Sequence, residues 1–264
     1  MEHVEVDGLQ IAYQRRGTGP TLLLVHGILC DSRIFRVQIE ALSSVCSVVA
    51  WDAPGCGQSS DPPAHFRLRE YATCLDGLIA ALDLDRVHVL GHSLGSSLAL
   101  ELYRLHPEVV RSLILVGPYA GWAGSLPPDE VERRLNFSLR AADLLPDGFD
   151  PTTMPGLFSD AMPEDRRAEM VRIMSEIRPA ATRATAHALA EADLRELLPS
   201  VEVPTLLIVG DADHRSPVDV ARRMHAAMPT STLTELPGLG HQCFLESPDT
   251  LHALIRDFVL AVGP

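Results

Sequence analysis

The sequence predicts an α/β fold, a mostly parallel sheet with helices on both faces, broken by one helical insertion. Three observations carry the prediction. Five short runs are almost continuously apolar, amphipathic segments of helix length follow most of them, and residues 119–199 show no convincing strand. A parallel strand covered on both faces needs such unbroken apolar character, and strands alternating with helices are the signature of a parallel sheet.

Taken in order, residues 3–17 read as an antiparallel hairpin with Asp7-Gly8 at its turn. The runs at 21–27, 47–52, 87–93, 112–118 and 204–211 read as buried strands, and 231–238 as a weaker, later one. Between them, 67–82 places Leu68, Tyr71, Leu75, Leu78, Ile79 and Leu82 at helical spacing. A helix over 94–105 is ended by Pro107. Segments 217–228 and 248–262 each open on a proline, a favoured first-turn residue. Within the insertion, Pro127-Pro128-Asp129, Pro146-Asp147-Gly148 and Met162-Pro163-Glu164-Asp165 read as helix starts or turns. The expected division is therefore a core of 1–118 and 200–264 and a helical cap of 119–199 that covers substrate, since excursions this long are usually functional.

Composition removes several function classes. The formal charge is −13 and no local basic stripe is visible, which argues against nucleic acid as a partner. All 22 basic residues are arginine, so neither lysine Schiff-base chemistry nor a P-loop lysine is available. The apolar runs are too short for a membrane span, the opening residues carry no signal-peptide pattern, and five irregularly spaced cysteines read as reduced thiols. A cytoplasmic protein acting on a small molecule is the expectation. The 11 histidines include no H-E-x-x-H or similar ligand spacing, so neither metal nor cofactor is expected.

The chemistry centres on Gly91-His92-Ser93-Leu94-Gly95, a G-x-S-x-G pentapeptide between an apolar strand and a helix. A serine on so sharp a turn leaves no room for neighbouring Cβ atoms, and the turn aims the helix N-terminus at a developing oxyanion. Alone the pattern is weak, arising by chance in roughly one chain in ten of this length. A serine nucleophile also needs a base and an orienting acid, which in this topology follow in the order acid, then histidine. His241, between Gly240 and the last helix, is the candidate base, and Asp211 and Asp213 are both candidate acids.

These signals, together with His26-Gly27 and the turn Asp52-Ala53-Pro54-Gly55-Cys56-Gly57-Gln58-Ser59, resemble the α/β-hydrolase superfamily. The likeness is to its cap-bearing, cofactor-free esterases, lactonases and carbon–carbon bond hydrolases, and it covers nearly the whole chain outside the cap. It implies an eight-stranded sheet. The Gly210-x-x-Asp213-x-x-x-Pro217 spacing matches the family's acid loop and favours Asp213, leaving Asp211 as a turn or capping residue. The resemblance places the oxyanion hole at the backbone N–H groups of Ile28 and Leu94, with His26 and Asp52 in structural roles. The loop lacks the Gly-Pro-Gly run of meta-cleavage product hydrolases, and a serine rather than an aspartate argues against dehalogenase and epoxide hydrolase chemistry. Ser96-Ser97 stands where relatives often carry a second glycine.

His92, Tyr119, Trp122 and Phe137 are candidate pocket residues, with packing as the alternative reading for each. Cys30 and Cys243 flank the functional loops as small apolar groups. The expected function is acyl-enzyme hydrolysis of a small or medium apolar carboxylic ester or lactone. Two alternatives stand beside it: hydrolysis of a carbon–carbon bond in a diketone, and a slowly turning-over ligand receptor that keeps the three residues.

Overall fold

The computed structural model describes residues 1–145 and 148–263. Its strands are β1 (Glu2–Val6), β2 (Leu9–Arg16), β3 (Thr21–Val25), β4 (Ser47–Trp51), β5 (Val87–His92), β6 (Val110–Val116), β7 (Thr205–Gly210) and β8 (Ser231–Leu236). The helices are α1 (Arg36–Leu42), α2 (Leu68–Ala81), α3 (Leu94–Leu105), α4 (Pro128–Leu144), α5 (Glu164–Ser175), α6 (Pro179–Glu191), α7 (Val218–Ala227), α8 (Cys243–Glu246) and α9 (Pro248–Val262). One eight-stranded sheet runs in the order β1-β2-β4-β3-β5-β6-β7-β8. Its first two strands are antiparallel and the rest parallel.

Local chemistry explains the elements. Asp7 and Gly8 both take positive φ, 48° and 80°, the type I′ geometry that matches the twist of a hairpin. Every residue of β4, β5 and β7 is buried, as strands sandwiched between helix layers must be. Helix α2 packs with α3, and α1 with α9. Prolines open α4, α6 and α9, and Pro163 precedes α5. The turn expected at Pro146-Asp147-Gly148 falls on residues of which the first two lie outside the described ones.

No strand is present among the described residues of 119–199, which carry α4, α5 and α6. This segment is closed at its neck, where Trp122 N donates to Leu189 O, Leu194 N to Ala120 O and Gly124 N to Ala192 O. Ser96 and Ser97 serve the same neck. Tyr119 N donates to Ser96 Oγ at 2.9 Å, Gly121 N to Ser97 Oγ at 3.1 Å, and Ser97 Oγ donates to Tyr119 O at 3.1 Å. Two hydroxyls thus do here what a second glycine could not.

The register aligns the sheet's carboxyl ends. Val25 lies beside Gly91, His92 beside Val116, Val116 beside Ile208, and Gly210 beside Leu236. The loops after β3, β5, β6, β7 and β8 therefore emerge along one edge. Strand order reverses at β3 and β5, where crevices form in such sheets. Among the described residues, no helix is long and apolar enough to cross a membrane.

Candidate active site

Ser93 occupies the turn between β5 and α3 with φ 55° and ψ −113°, a conformation that L-residues rarely adopt. Its N–H donates to Val116 O at 2.9 Å, tying the turn to β6. The flanking glycines are sterically required. A Cβ on Gly91 would lie 2.1 Å from Gly95 O, and one on Gly95 would lie 2.0 Å from Val25 O. The side of Ser93 is met by the loop after β3, where a Cβ on Gly27 would stand 3.4 Å from the Ser93 Cβ. That loop bends through Leu29 at φ 59°. Among the described residues, neither Ile28 N–H nor Leu94 N–H donates to a protein acceptor. Leu94 is the first residue of α3, so its N–H is one of the four left unpaired at a helix start.

The loops after β7 and β8 bring Asp213 and His241 together. Asp213 Oδ2 accepts from His241 Nδ1 at 2.8 Å, and Asp213 Oδ1 accepts the N–H groups of Arg215 and Ser216, each at 2.7 Å. With Nδ1 as donor, Nε2 of His241 is left as the acceptor. Asp211 does not take part. It is exposed, and its Oδ1 accepts from Gly238 N at 2.6 Å, a tie across the turn after β8. Gly117, at φ 55° just past β6, gives the pair its room, because a Cβ there would sit 3.0 Å from His241 Cε1. Ser93, Asp213 and His241 are 5%, 4% and 2% exposed. Ser93 Oγ and His241 Nε2 are not hydrogen-bonded to each other in this structure.

The supporting residues have defined tasks. His26 Nδ1 donates to Gly27 O at 2.9 Å, and its Nε2 accepts from Ala53 N at 3.0 Å, joining the loops after β3 and β4. Asp52 accepts from Ser32 N and Gln58 N, both at 2.9 Å, and holds the glycine turn closed. His92 Nε2 donates to His241 O at 3.1 Å, and its ring packs 4.9 Å from the His241 ring. Burial, with the neighbouring His241 second, holds His92 well below the usual histidine range, so it stays neutral. Glu246 Oε2 accepts from Gly240 N, directly before His241. Burial pushes the Cys30 and Cys243 thiols well above the usual range, which leaves them protonated.

Of the other pocket candidates, Tyr119 directs its hydroxyl to the acid loop, donating to Arg215 O while accepting from Arg134 Nη1. Trp122 lies beneath the Arg134 guanidinium, 5.8 Å from its ring centre. Phe137 is partly buried against Phe149, with ring centres 6.4 Å apart. Residues 155–166 reach the site loops from the insertion. Arg215 Nη1 donates to Pro155 O at 3.3 Å, Gly156 packs on His214, Ser159 packs on Gly240, and Arg166 donates to Leu245 O. Arg134 and Glu246 escape a sequence reading because neither belongs to a short motif; only the buried partners reveal them. Among the described residues, no group of three or more His, Cys, Asp or Glu is placed to hold a metal ion.

Comparison with known proteins agrees with this architecture. A profile of the alpha/beta hydrolase fold matches residues 20–248. A thermophilic esterase from Thermogutta terrifontis superposes with a TM-score of 0.91 at 25% identity, covering 100% of both chains. An N-acyl homoserine lactone degrading enzyme, Est816, superposes at 0.82 with 25% identity, covering 98% of this chain and 100% of its own. A 2-(acetamidomethylene)succinate hydrolase of Mesorhizobium japonicum is 23% identical over 97% of this chain and 94% of its own length. Sheet order, elbow and profile agree: the chain belongs to the alpha/beta hydrolase family.

Proposed function

We propose that the protein is a serine hydrolase that cleaves a small or medium apolar carboxylic ester or lactone through an acyl-enzyme. The observation that carries this reading is the 2.8 Å bond from His241 Nδ1 to Asp213 Oδ2, on the same sheet edge as the strained Ser93 turn. His241 Nε2 takes the Ser93 proton as Oγ attacks the carbonyl carbon. The oxyanion is held by Ile28 N–H and Leu94 N–H, each worth about 3 kcal/mol to the transition state. His241 then passes the proton to the leaving oxygen. Water, deprotonated by His241, attacks the acyl-enzyme, and the acid is released as Ser93 regains its proton. Asp213 orients the imidazole and fixes its tautomer. A serine–histidine hydrogen bond that is open without substrate commonly tightens once substrate is bound.

Residues 119–199 act in this reading as the cap, with 155–166 over the acid and histidine loops. The side chains that this segment buries, Met154, Leu157, Met170 and Met174 among them, are apolar, and that composition is the ground for proposing a substrate of low polarity. The test is turnover of p-nitrophenyl esters and lactones by wild type and Ser93→Ala, with fluorophosphonate labelling. Loss of turnover and label in the variant supports the reading, whereas full activity in Ser93→Ala refutes it. Cleavage of a 1,3-diketone to a ketone and a carboxylic acid, with the esters and lactones left intact, would assign the carbon–carbon reaction instead.

A further inference from the structure

We infer that Arg134 is a positioning residue for this reaction: with Tyr119 it fixes and polarises one of the two peptide groups whose N–H groups hold the outer oxygen of Asp213. The inference rests on the reading of Ser93, His241 and Asp213 given above. Arg134 belongs to α4, in the insertion, far in sequence from the groups it serves. It is only 6% exposed. Its Nη1 donates to Arg215 O at 2.9 Å and to Tyr119 Oη at 2.8 Å. Tyr119, kept protonated by burial, donates its own hydroxyl to the same Arg215 carbonyl. That carbonyl therefore accepts two hydrogen bonds, one from a cation.

The geometry of a peptide makes this consequential. The carbonyl of Arg215 and the N–H of Ser216 are the two ends of one planar group. The Ser216 N–H donates to Asp213 Oδ1 at 2.7 Å. Donors on a carbonyl withdraw electron density through the amide and strengthen the hydrogen bond made by its N–H. They also set the plane of the peptide, and with it the direction of the donor. Asp213 Oδ1 is thereby held away from the imidazole, leaving Oδ2 for His241 Nδ1. Glu130 pairs with Arg134 Nε, which keeps the guanidinium turned so that Nη1 meets the loop. Trp122, under the guanidinium, closes the other side. A residue of the insertion thus reaches the reacting groups through hydrogen bonds alone.

The test is a double-mutant cycle on turnover of p-nitrophenyl butyrate. Arg134→Met, which keeps the aliphatic stem, is expected to lower kcat by about 10- to 100-fold with KM changed less than about twofold. Arg134→Lys, which still offers an ammonium donor, recovers most of that loss. In an Asp213→Asn background the same Arg134→Met change alters the residual rate less than about twofold, because the group it acts through has been disabled. An equal loss in both backgrounds, or an equal loss in the Lys and Met variants, overturns the inference. Tyr119→Phe gives a second readout if Arg134→Met folds poorly. It lowers kcat by a smaller factor and speeds exchange of the downfield His241 Nδ1 proton seen by NMR; an unchanged kcat and an unchanged proton in that variant count against the inference. If wild type neither turns over esters nor takes the fluorophosphonate, the hydrolase reading has failed. The NMR proton still decides the positioning role in that case, since its loss in Arg134→Met needs no substrate.

Discussion

The backbone at Ser93 offers a direct measurement of the strain stored in the turn. At φ 55° and ψ −113° a residue with a Cβ costs about 1–3 kcal/mol, whereas glycine reaches this mirror-β region freely. Comparing Ser93→Gly with Ser93→Ala isolates that cost, because both variants lack the hydroxyl and differ only at Cβ. Against the relief stands the extra chain entropy that glycine gains when unfolded, about 0.5–1 kcal/mol. The difference leaves the glycine variant more stable by about 1 kcal/mol. In a chain of this size that is a rise in Tm of about 2–4 °C over the alanine variant. Circular dichroism melts and urea midpoints measured side by side give the answer. A glycine variant that melts at or below the alanine variant would refute the claim that the Ser93 turn is strained.

Three further outcomes are expected. Asp213→Asn lowers kcat by about 10⁴-fold while Asp211→Asn stays within about twofold, and the reverse ranking would reassign the acid. Gly95→Ala, whose Cβ would lie 2.0 Å from Val25 O, forces β3 and the elbow apart at a cost of about 3 kcal/mol or more; a urea midpoint near that of wild type would contradict the packing. Burial holds His88 down to about 4, and it lowers His26, His92 and His252 as well. The unfolded chain therefore takes up protons near pH 6.5 that the fold refuses, so stability is full above about pH 6.5 and falls as pH drops toward 4. Urea midpoints at pH 7, 5.5 and 4.5 should decline in that order, less steeply for His88→Phe, and a flat series would reject the linkage.

The elements legible in the sequence are those set by local physics. The buried strands are readable because a two-sided parallel strand leaves few polar residues to confuse the pattern, and they end within two residues of the expected limits at β3, β4, β5, β6 and β7. The Asp7-Gly8 turn and the proline starts of α4 and α9 were readable because single residues dictate them. Helix α1, only seven residues long, and α6, rich in alanine and threonine, carry weak periodicity and were not anticipated. The acid-loop spacing already favours Asp213 over Asp211, but which carboxylate faces His241 and which faces Gly238 N is decided only by the fold. Nor could spacing foretell that Arg134 reaches the Arg215 carbonyl, 81 residues away.

The position of β8 has a consequence for how the molecule fails. It is the last strand of the sheet, hydrogen-bonded on one side to β7, and most of its residues are only half-buried or exposed. His241 hangs from the loop that follows it, held further by Glu246 on Gly240 N and by Gln38 Nε2 on Phe244 O at 2.7 Å. An edge strand lifts away at a lower free energy than the buried centre. In rising denaturant, catalytic function should therefore vanish while β5 and its neighbours are still folded. Amide hydrogens of β8 would exchange through that same opening, well ahead of those at the sheet's centre. His241 would thus be displaced with the edge strand that carries its loop, ahead of the global unfolding of the core.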